Sequence, residues 1–253
     1  MSARPVNGCV DAVYVLTVKS FAQRIAHVQR ELARHGIAFE LILQHDAAEL
    51  GEAQIAQRFT SSGLKRSQQS LVLKHAQAWR NALERGQRRI LVFEDDVMLD
   101  ADFTACFDAA MRAADALAPG WLVFLGGADT KVPDSYFLAP GPLVPLPIAT
   151  AEAYVTDLEA ARRRVAWVDA NRVALPADQL LKRIDAELGI AQFWLRPPIA
   201  EQGSVTGTFD SVLDANRQKH SRAYNVLRNR WNKFQRHRLR GWLVKARAII
   251  SGH

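Results

Sequence analysis

At 253 residues, 49% hydrophobic and 8% aromatic, the chain can bury one large α/β core or two small ones, which excludes a disordered polymer. Its formal net charge of +7 is uneven: residues 217–247 hold 11 Lys and Arg and no Asp or Glu, leaving 22 basic against 26 acidic residues elsewhere. A mildly acidic body with a strongly basic tail predicts an anionic partner for the tail, either a membrane surface or nucleic acid.

Residues 12–18 (AVYVLTV) are short, apolar and β-branched, as in a buried strand. Phe21, Ile25, Val28 and Leu32 then recur at helical spacing, with Gly36 as the stop, and residues 39–43 offer a second strand. Ser67 is the expected N-cap of a helix running to about Arg85, with Leu71, His75, Ala78 and Ala82 on one face. Residues 89–93 (RILVF) form a third strand and run straight into Glu94-Asp95-Asp96. An amphipathic helix follows, through Phe103, Phe107, Ala110, Met111 and Ala114, and residues 121–125 (WLVFL) form a fourth strand.

Residues 132–149 carry Pro133, Pro140, Pro142, Pro145 and Pro147, which predicts loop or isolated edge strand. Ala153–Val155 reads as a strand entering a helix through a Thr156-Asp157-Leu158-Glu159 capping box. Pro176-Ala177-Asp178 precedes a further helix marked by Leu180, Leu181, Ile184 and Leu188. Repeated strand-helix pairs predict a largely parallel sheet with helices on both faces and ligands beyond the carboxyl ends of the strands. The domains expected are a catalytic body, residues 1–215, and a basic helical tail, residues 216–253.

Chemistry concentrates at Glu94-Asp95-Asp96. Side chains alternate at a strand end, so Glu94 and Asp96 share a side. Two carboxylates so placed suit a hard divalent cation, Mn²⁺ or Mg²⁺, which in turn neutralises a diphosphate. An acidic turn leading to the helix at Asp102 is the plainer alternative. Lys74 and His75 are candidates to bind phosphate or steady a leaving group, or else a solvated lysine beside a half-buried histidine. Asp178 is a candidate general base, or simply a helix N-cap. In the tail, Tyr224, Leu227, Trp231 and Phe234 alternate with Arg222, Arg228, Arg230, Lys233 and Arg236. That pattern suits an interfacial helix on an anionic bilayer, or a helix packed back on the body; nucleic acid is the less favoured partner.

Cys9 and Cys106 are far apart, outside any CxxC pattern, and are expected as free thiols. Residues 1–10 lack a long apolar run and no stretch of roughly 18 apolar residues occurs, so neither signal peptide nor membrane span is expected. The expected location is cytoplasmic, with peripheral association on the inner face of the membrane.

The ordered set of motifs resembles glycosyltransferase family 25, the lipopolysaccharide-type glycosyltransferases. It consists of residues 13–24 (VYVLTVKSFAQR), 36–46 (GIAFELILQHD), 73–79 (LKHAQAW), 90–97 (ILVFEDDV), Ala153-Tyr154, Pro176–Asp178, and Pro198 with Gln202 and Ser204. The chain departs from the common pattern at Leu16-Thr17, where many members carry Asn-Leu, and at Ser70-Leu71 and Lys74. The resemblance implies a GT-A type, Rossmann-like fold and an inverting transfer of a hexose from a UDP-sugar to a saccharide acceptor, and together with the basic tail it predicts a lipid-linked one. It also implies that Asp96 and Glu94 bind metal and that Asp95 binds metal or ribose, while Thr17, Ser20 and Arg24 hold the nucleotide. Alternatives outside the resemblance are a metal-dependent phosphohydrolase and a non-catalytic protein that grips nucleic acid or a partner.

Overall fold

The computed structural model describes residues 2–61, 63–127, 130–148, 150–203, 231, 235 and 239–250. Among these, a seven-stranded sheet runs in the order β2-β1-β3-β7-β5-β8-β6. Its strands are β1 (Ala12–Leu16), β2 (Glu40–Ile42), β3 (Arg89–Glu94), β5 (Trp121–Phe124), β6 (Leu143–Pro145), β7 (Ala153–Asp157) and β8 (Ala191–Leu195). β4 (Val97–Leu99) and β9 (Ala200–Gln202) form a separate antiparallel ribbon. The helices are α1 (Ala22–Ala33), α2 (Glu52–Arg58), α3 (Arg66–Glu84), α4 (Phe103–Ala114), α5 (Ser135–Leu138), α6 (Leu158–Ala170), α7 (Ala177–Leu188) and α8 (Arg240–Ile250).

Strand alternation sorts the core into two layers. Tyr14, Val92, Phe124, Tyr154 and Trp194 pack toward α3, α6 and α7. Val13, Val15, Leu91, Phe93, Val123 and Val155 pack against Val28, Leu32, Phe103, Phe107 and Met111 of α1 and α4. Strands buried on both faces explain the near-continuous apolar runs, and the expected α/β sheet with helices on both faces is present.

The sheet is mixed and mostly parallel, as expected, with β7 and β6 running against the other five strands. β7 lies antiparallel between β3 and β5, with Val92 opposite Tyr154 and Phe124 opposite Tyr154. Among its described residues, the connection from β5 to β7, residues 125–152, carries only α5 and the edge strand β6, so Ala153 re-enters at the edge where β5 ended. A parallel strand needs a crossover back to the opposite edge, and no long helix supplies one here. β6 pairs antiparallel with β8 at the sheet margin, where Pro145, lacking an N–H, is tolerated.

Three expected caps shift. Lys65, not Ser67, caps α3: the Gln68 side chain accepts from Lys65 N at 2.9 Å. Asp157, not Thr156, caps α6 and accepts from Ala160 N at 3.0 Å. Thr156 instead donates to Trp121 O at 2.9 Å. Pro176 caps α7, so Asp178 lies inside its first turn.

Gly127 follows β5 at φ +89°, and a Cβ there would sit 2.3 Å from Trp194 Cη2. Gly127→Ala is expected to cost about 2–5 kcal/mol, combining left-handed strain with overpacking. Urea denaturation checks it; a loss below about 1 kcal/mol contradicts the tight Gly127–Trp194 contact.

Candidate active site at the strand ends

The carboxyl ends of β1 and β3 open into a cleft of about 510 Å³. β1 and its exit contribute Thr17, Lys19, Ser20, Phe21 and Arg24, and the loop after β2 contributes Asp46 to Glu49. Ser67, Ser70, Leu71 and Lys74 project from one face of α3 at i, i+3, i+4 and i+7. Glu94, Asp95, Asp96 and, from β9, Gln202 complete the lining.

The pairing register explains the convergence. Leu16 lies opposite Glu94, and Glu94 N donates to Glu152 O at 2.9 Å. Glu94 and Glu152 therefore occupy one row at the sheet's end, on the α3 side. Gly126 extends the row: a Cβ there would lie 2.3 Å from Glu152 Oε1. Sequence reading missed Glu152, because a lone acid before an apolar strand carries no signal until the strand order is known.

Asp95 is held from both sides. Its Oδ2 accepts from Thr17 Oγ1 and its Oδ1 from Arg24, each at 2.7 Å. Glu94 is half-buried and Asp96 buried. Burial first, and then the charges of Asp96, Glu152 and Asp95, hold the Glu94 carboxyl well above the usual carboxylate range, against the opposing pull of Arg24. Burial also raises Glu152, and the Asp96 charge adds to it. Four carboxyl groups thus crowd one strand end beyond what Arg24 compensates, a field that favours a cation.

No group of three or more His, Cys, Asp and Glu side chains among the described residues could hold a metal ion alone. The hard oxygen donors present still fit Mg²⁺ or Mn²⁺, which typically take one or two carboxylates and complete their shell with water and substrate phosphates.

Lys74 lines the cleft but is not available to a phosphate. Its Nζ donates to Gln44 O and Asp46 Oδ1 at 2.7 Å each and lies 3.5 Å from Ile42 O, so its three donors are committed. Burial lowers its pKa, opposed by Asp46. Asp46 in turn accepts from Lys19 N at 3.0 Å, and Ser70 donates to His45 O at 2.6 Å. Lys74 is therefore a strut that shapes the loop after β2.

His75 is not part of the cleft. It projects into the core, with Nδ1 2.9 Å from Tyr154 OH and its ring stacked on Tyr154. Burial holds its imidazole down at about 3, so it stays neutral and has no charge to offer a phosphate.

Asp178 is exposed and does not line the cleft; its Oδ1 accepts from Gln179 N at 2.8 Å. It lies in the first turn of α7, apart from the cleft lining that the base reading expected it to join. Asp178→Ala is expected to leave any sugar transfer within about twofold and stability within about 1 kcal/mol. Turnover assays check this, and a collapse of turnover would restore Asp178 to the reaction.

Of the tail, the apolar positions Tyr224, Leu227 and Phe234 lie outside the described residues, and Trp231 is exposed. α8 packs on α5, with Gly241 and Val244 buried. No helix among the described residues is long and apolar enough to cross a membrane.

Residues 10–125 match the family described as Glycosyltransferase family 25 (LPS biosynthesis protein). The lacto-N-neotetraose biosynthesis glycosyltransferase LgtB of Neisseria meningitidis serogroup B is 34% identical over 94 residues, 34% of this chain and 33% of that protein. The human inactive glycosyltransferase 25 family member 3 is 28% identical over 149 residues, 56% of this chain and 25% of that protein. The chain thus spans about a third or less of the length of these relatives. Among solved structures, mouse xyloside xylosyltransferase 1 aligns with a TM-score of 0.41 at 14% identity, over 73% of this chain and 84% of that one. A glycosyltransferase involved in the glycosylation of the major capsid of PBCV-1 aligns with a TM-score of 0.41 at 10% identity, over 87% of this chain and 99% of that one. The family match runs from the entrance of β1 to the end of β5 and includes Thr17, Ser20, Arg24 and the acidic run. Over residues 10–125 this chain is similar to glycosyltransferase family 25.

Proposed function

We propose that the chain is an inverting glycosyltransferase of the GT-A type that moves a hexose from a UDP-sugar to a saccharide acceptor in cell-surface glycan assembly, lipopolysaccharide being the first case to test. The observation that carries this reading is the cleft at the ends of β1 and β3, where the family-matched residues Thr17, Arg24, Glu94, Asp95 and Asp96 meet.

Each residue has a definable task. Arg24 and Thr17 fix Asp95 and close the floor under the nucleotide. Ser20 lies exposed at the wall, placed to donate to a phosphate or ribose oxygen. Lys74 and Asp46 hold the opposite wall in shape. Glu94 and Asp96 would hold Mn²⁺ or Mg²⁺, which when bound neutralises the departing diphosphate. Preorganised groups make that stabilisation worth more than in water.

The basic tail fits an anionic membrane surface, which would keep a cytoplasmic enzyme beside a lipid-linked acceptor. The test is UDP release from a panel of UDP-hexoses with Mn²⁺ and saccharide acceptors. Acceptor-dependent release from one donor supports the proposal; release of inorganic phosphate from simple esters instead favours a phosphohydrolase.

A further inference from the structure

α8 has two apolar faces, and only one of them is covered. At 100° per residue, Gly241, Val244 and Ala248 share the inner face. Gly241 is buried so closely on α5 that a Cβ would lie 2.9 Å from Phe137 Cδ1. Arg240 clamps the contact, pairing with Asp134 at 2.6 Å and lying 5.8 Å from the centre of the Phe137 ring. The opposite face is formed by Trp242, Leu243, Ala246, Ile249 and Ile250. Trp242 is 67% exposed, Ile249 80% and Ile250 86%. Lys245 and Arg247 flank this face on either side, and α8 contains no acidic residue.

We propose that the outward face of α8 is a docking surface for an anionic lipid bilayer. An apolar centre rimmed by cations is the arrangement that buries side chains at the acyl boundary while the charges meet headgroup phosphates. Two other occupants fit less well. A second copy docked through this face would set Lys245 and Arg247 against their own equivalents, beside tails that carry 11 Lys and Arg and no acid over residues 217–247. Nucleic acid calls for cations at the centre of the contact, where α8 has Trp242, Leu243, Ile249 and Ile250.

The inference deepens the proposed membrane-associated transferase and rests on it for the acceptor's location. α5 belongs to the connection that leaves β5 at Gly126, beside Glu152, so α8 is latched to the segment bordering the site's edge.

Full-length protein sedimented with vesicles of phosphatidylcholine containing phosphatidylserine tests the surface, with pure phosphatidylcholine vesicles as the reference. Wild type is expected to bind the anionic vesicles, and the Trp242→Ser, Ile249→Ser double variant to bind about tenfold more weakly. Leu243→Ser with Ile250→Ser provides a second pair, and unchanged melting curves show that either variant is folded. Equal binding by wild type and both pairs overturns the proposal, as does a wild-type dimer that both pairs dissolve without change in vesicle binding. Transfer to a soluble acceptor is measured in the same proteins. Its absence in all of them counts against the transferase reading alone, and its retention with lost vesicle binding separates the two claims.

Discussion

Asp96→Ala is expected to reduce sugar transfer by on the order of 10²–10³-fold while leaving the fold intact. Asp96 is buried beside Glu94, whose carboxyl is already pushed up by burial and by the charge of Asp96. Removing Asp96 takes away a proposed cation ligand and also relieves a crowded negative field. The unliganded variant is therefore expected to melt at or above the wild-type temperature at neutral pH, a separation of stability from activity typical of functional sites. The pH dependence has a definite sign. Glu94 has a folded pKa above its unfolded one, so it binds more protons folded than unfolded in that range. Its contribution is fully present below the ordinary carboxylate pKa and is lost as the pH rises through the raised value. The melting advantage of Asp96→Ala should accordingly shrink toward acid pH. Undiminished transfer by Asp96→Ala would remove the acidic run from the mechanism.

The second large effect lies in the core. Arg164 and Asp185 form a bidentate pair, with both contacts at 2.7 Å and both side chains almost completely buried. Thr156 Oγ1 accepts from Arg164 at 2.8 Å, Gln192 Nε2 donates to Asp185 at 2.8 Å, and the guanidinium lies 5.4 Å from the Trp79 ring centre. Arg164→Ala or Asp185→Ala leaves one charge buried without its partner, at a cost of about 3–5 kcal/mol. In a chain of this size that corresponds to a fall in Tm of roughly 6–20 °C. Replacing both with apolar residues of similar volume should cost less than either single change, because no charge is stranded. A drop below about 1 kcal/mol in the single variants, measured by calorimetry, would contradict the buried pair. The network ties β7, α6, α7 and β8 together, through Thr156 at the end of β7 remote from Glu152.

The sequence made legible those features that depend on local pattern. β1, β3 and β5 were visible as apolar runs because both faces of the sheet are covered, and α1, α3 and α4 because each has one apolar stripe. The position of Glu94-Asp95-Asp96 at a strand end followed directly, whereas Thr17 and Arg24 were expected to hold the nucleotide, and their pairing with Asp95 shows only in the structure. What escaped depends on long-range pairing. The reversed β7 could not be read from residues 153–157, since a buried strand looks the same in either direction. The loss of His75 to the core and of Lys74 to the β2 loop follows from which face of α3 meets the sheet: His75 meets Tyr154, whereas Lys74 meets Asp46. Asp178, after Pro176, carries two readings in the sequence, a base or a helix N-cap, and the structure puts it in the first turn of α7 instead of at the cap. α2 and the β4–β9 ribbon are short, and short elements carry too little periodicity to register.

Thermal unfolding with UDP, with and without Mn²⁺, in wild type and Asp96→Ala tests the central claim most directly. At 100 times its dissociation constant a ligand stabilises the fold by about 2.7 kcal/mol, which corresponds to a shift of roughly 5–10 °C. The account predicts that UDP stabilises the wild type only when Mn²⁺ is present and leaves Asp96→Ala unmoved. Equal stabilisation of wild type and variant, or none in either, would contradict a cation and nucleotide site at Glu94–Asp96.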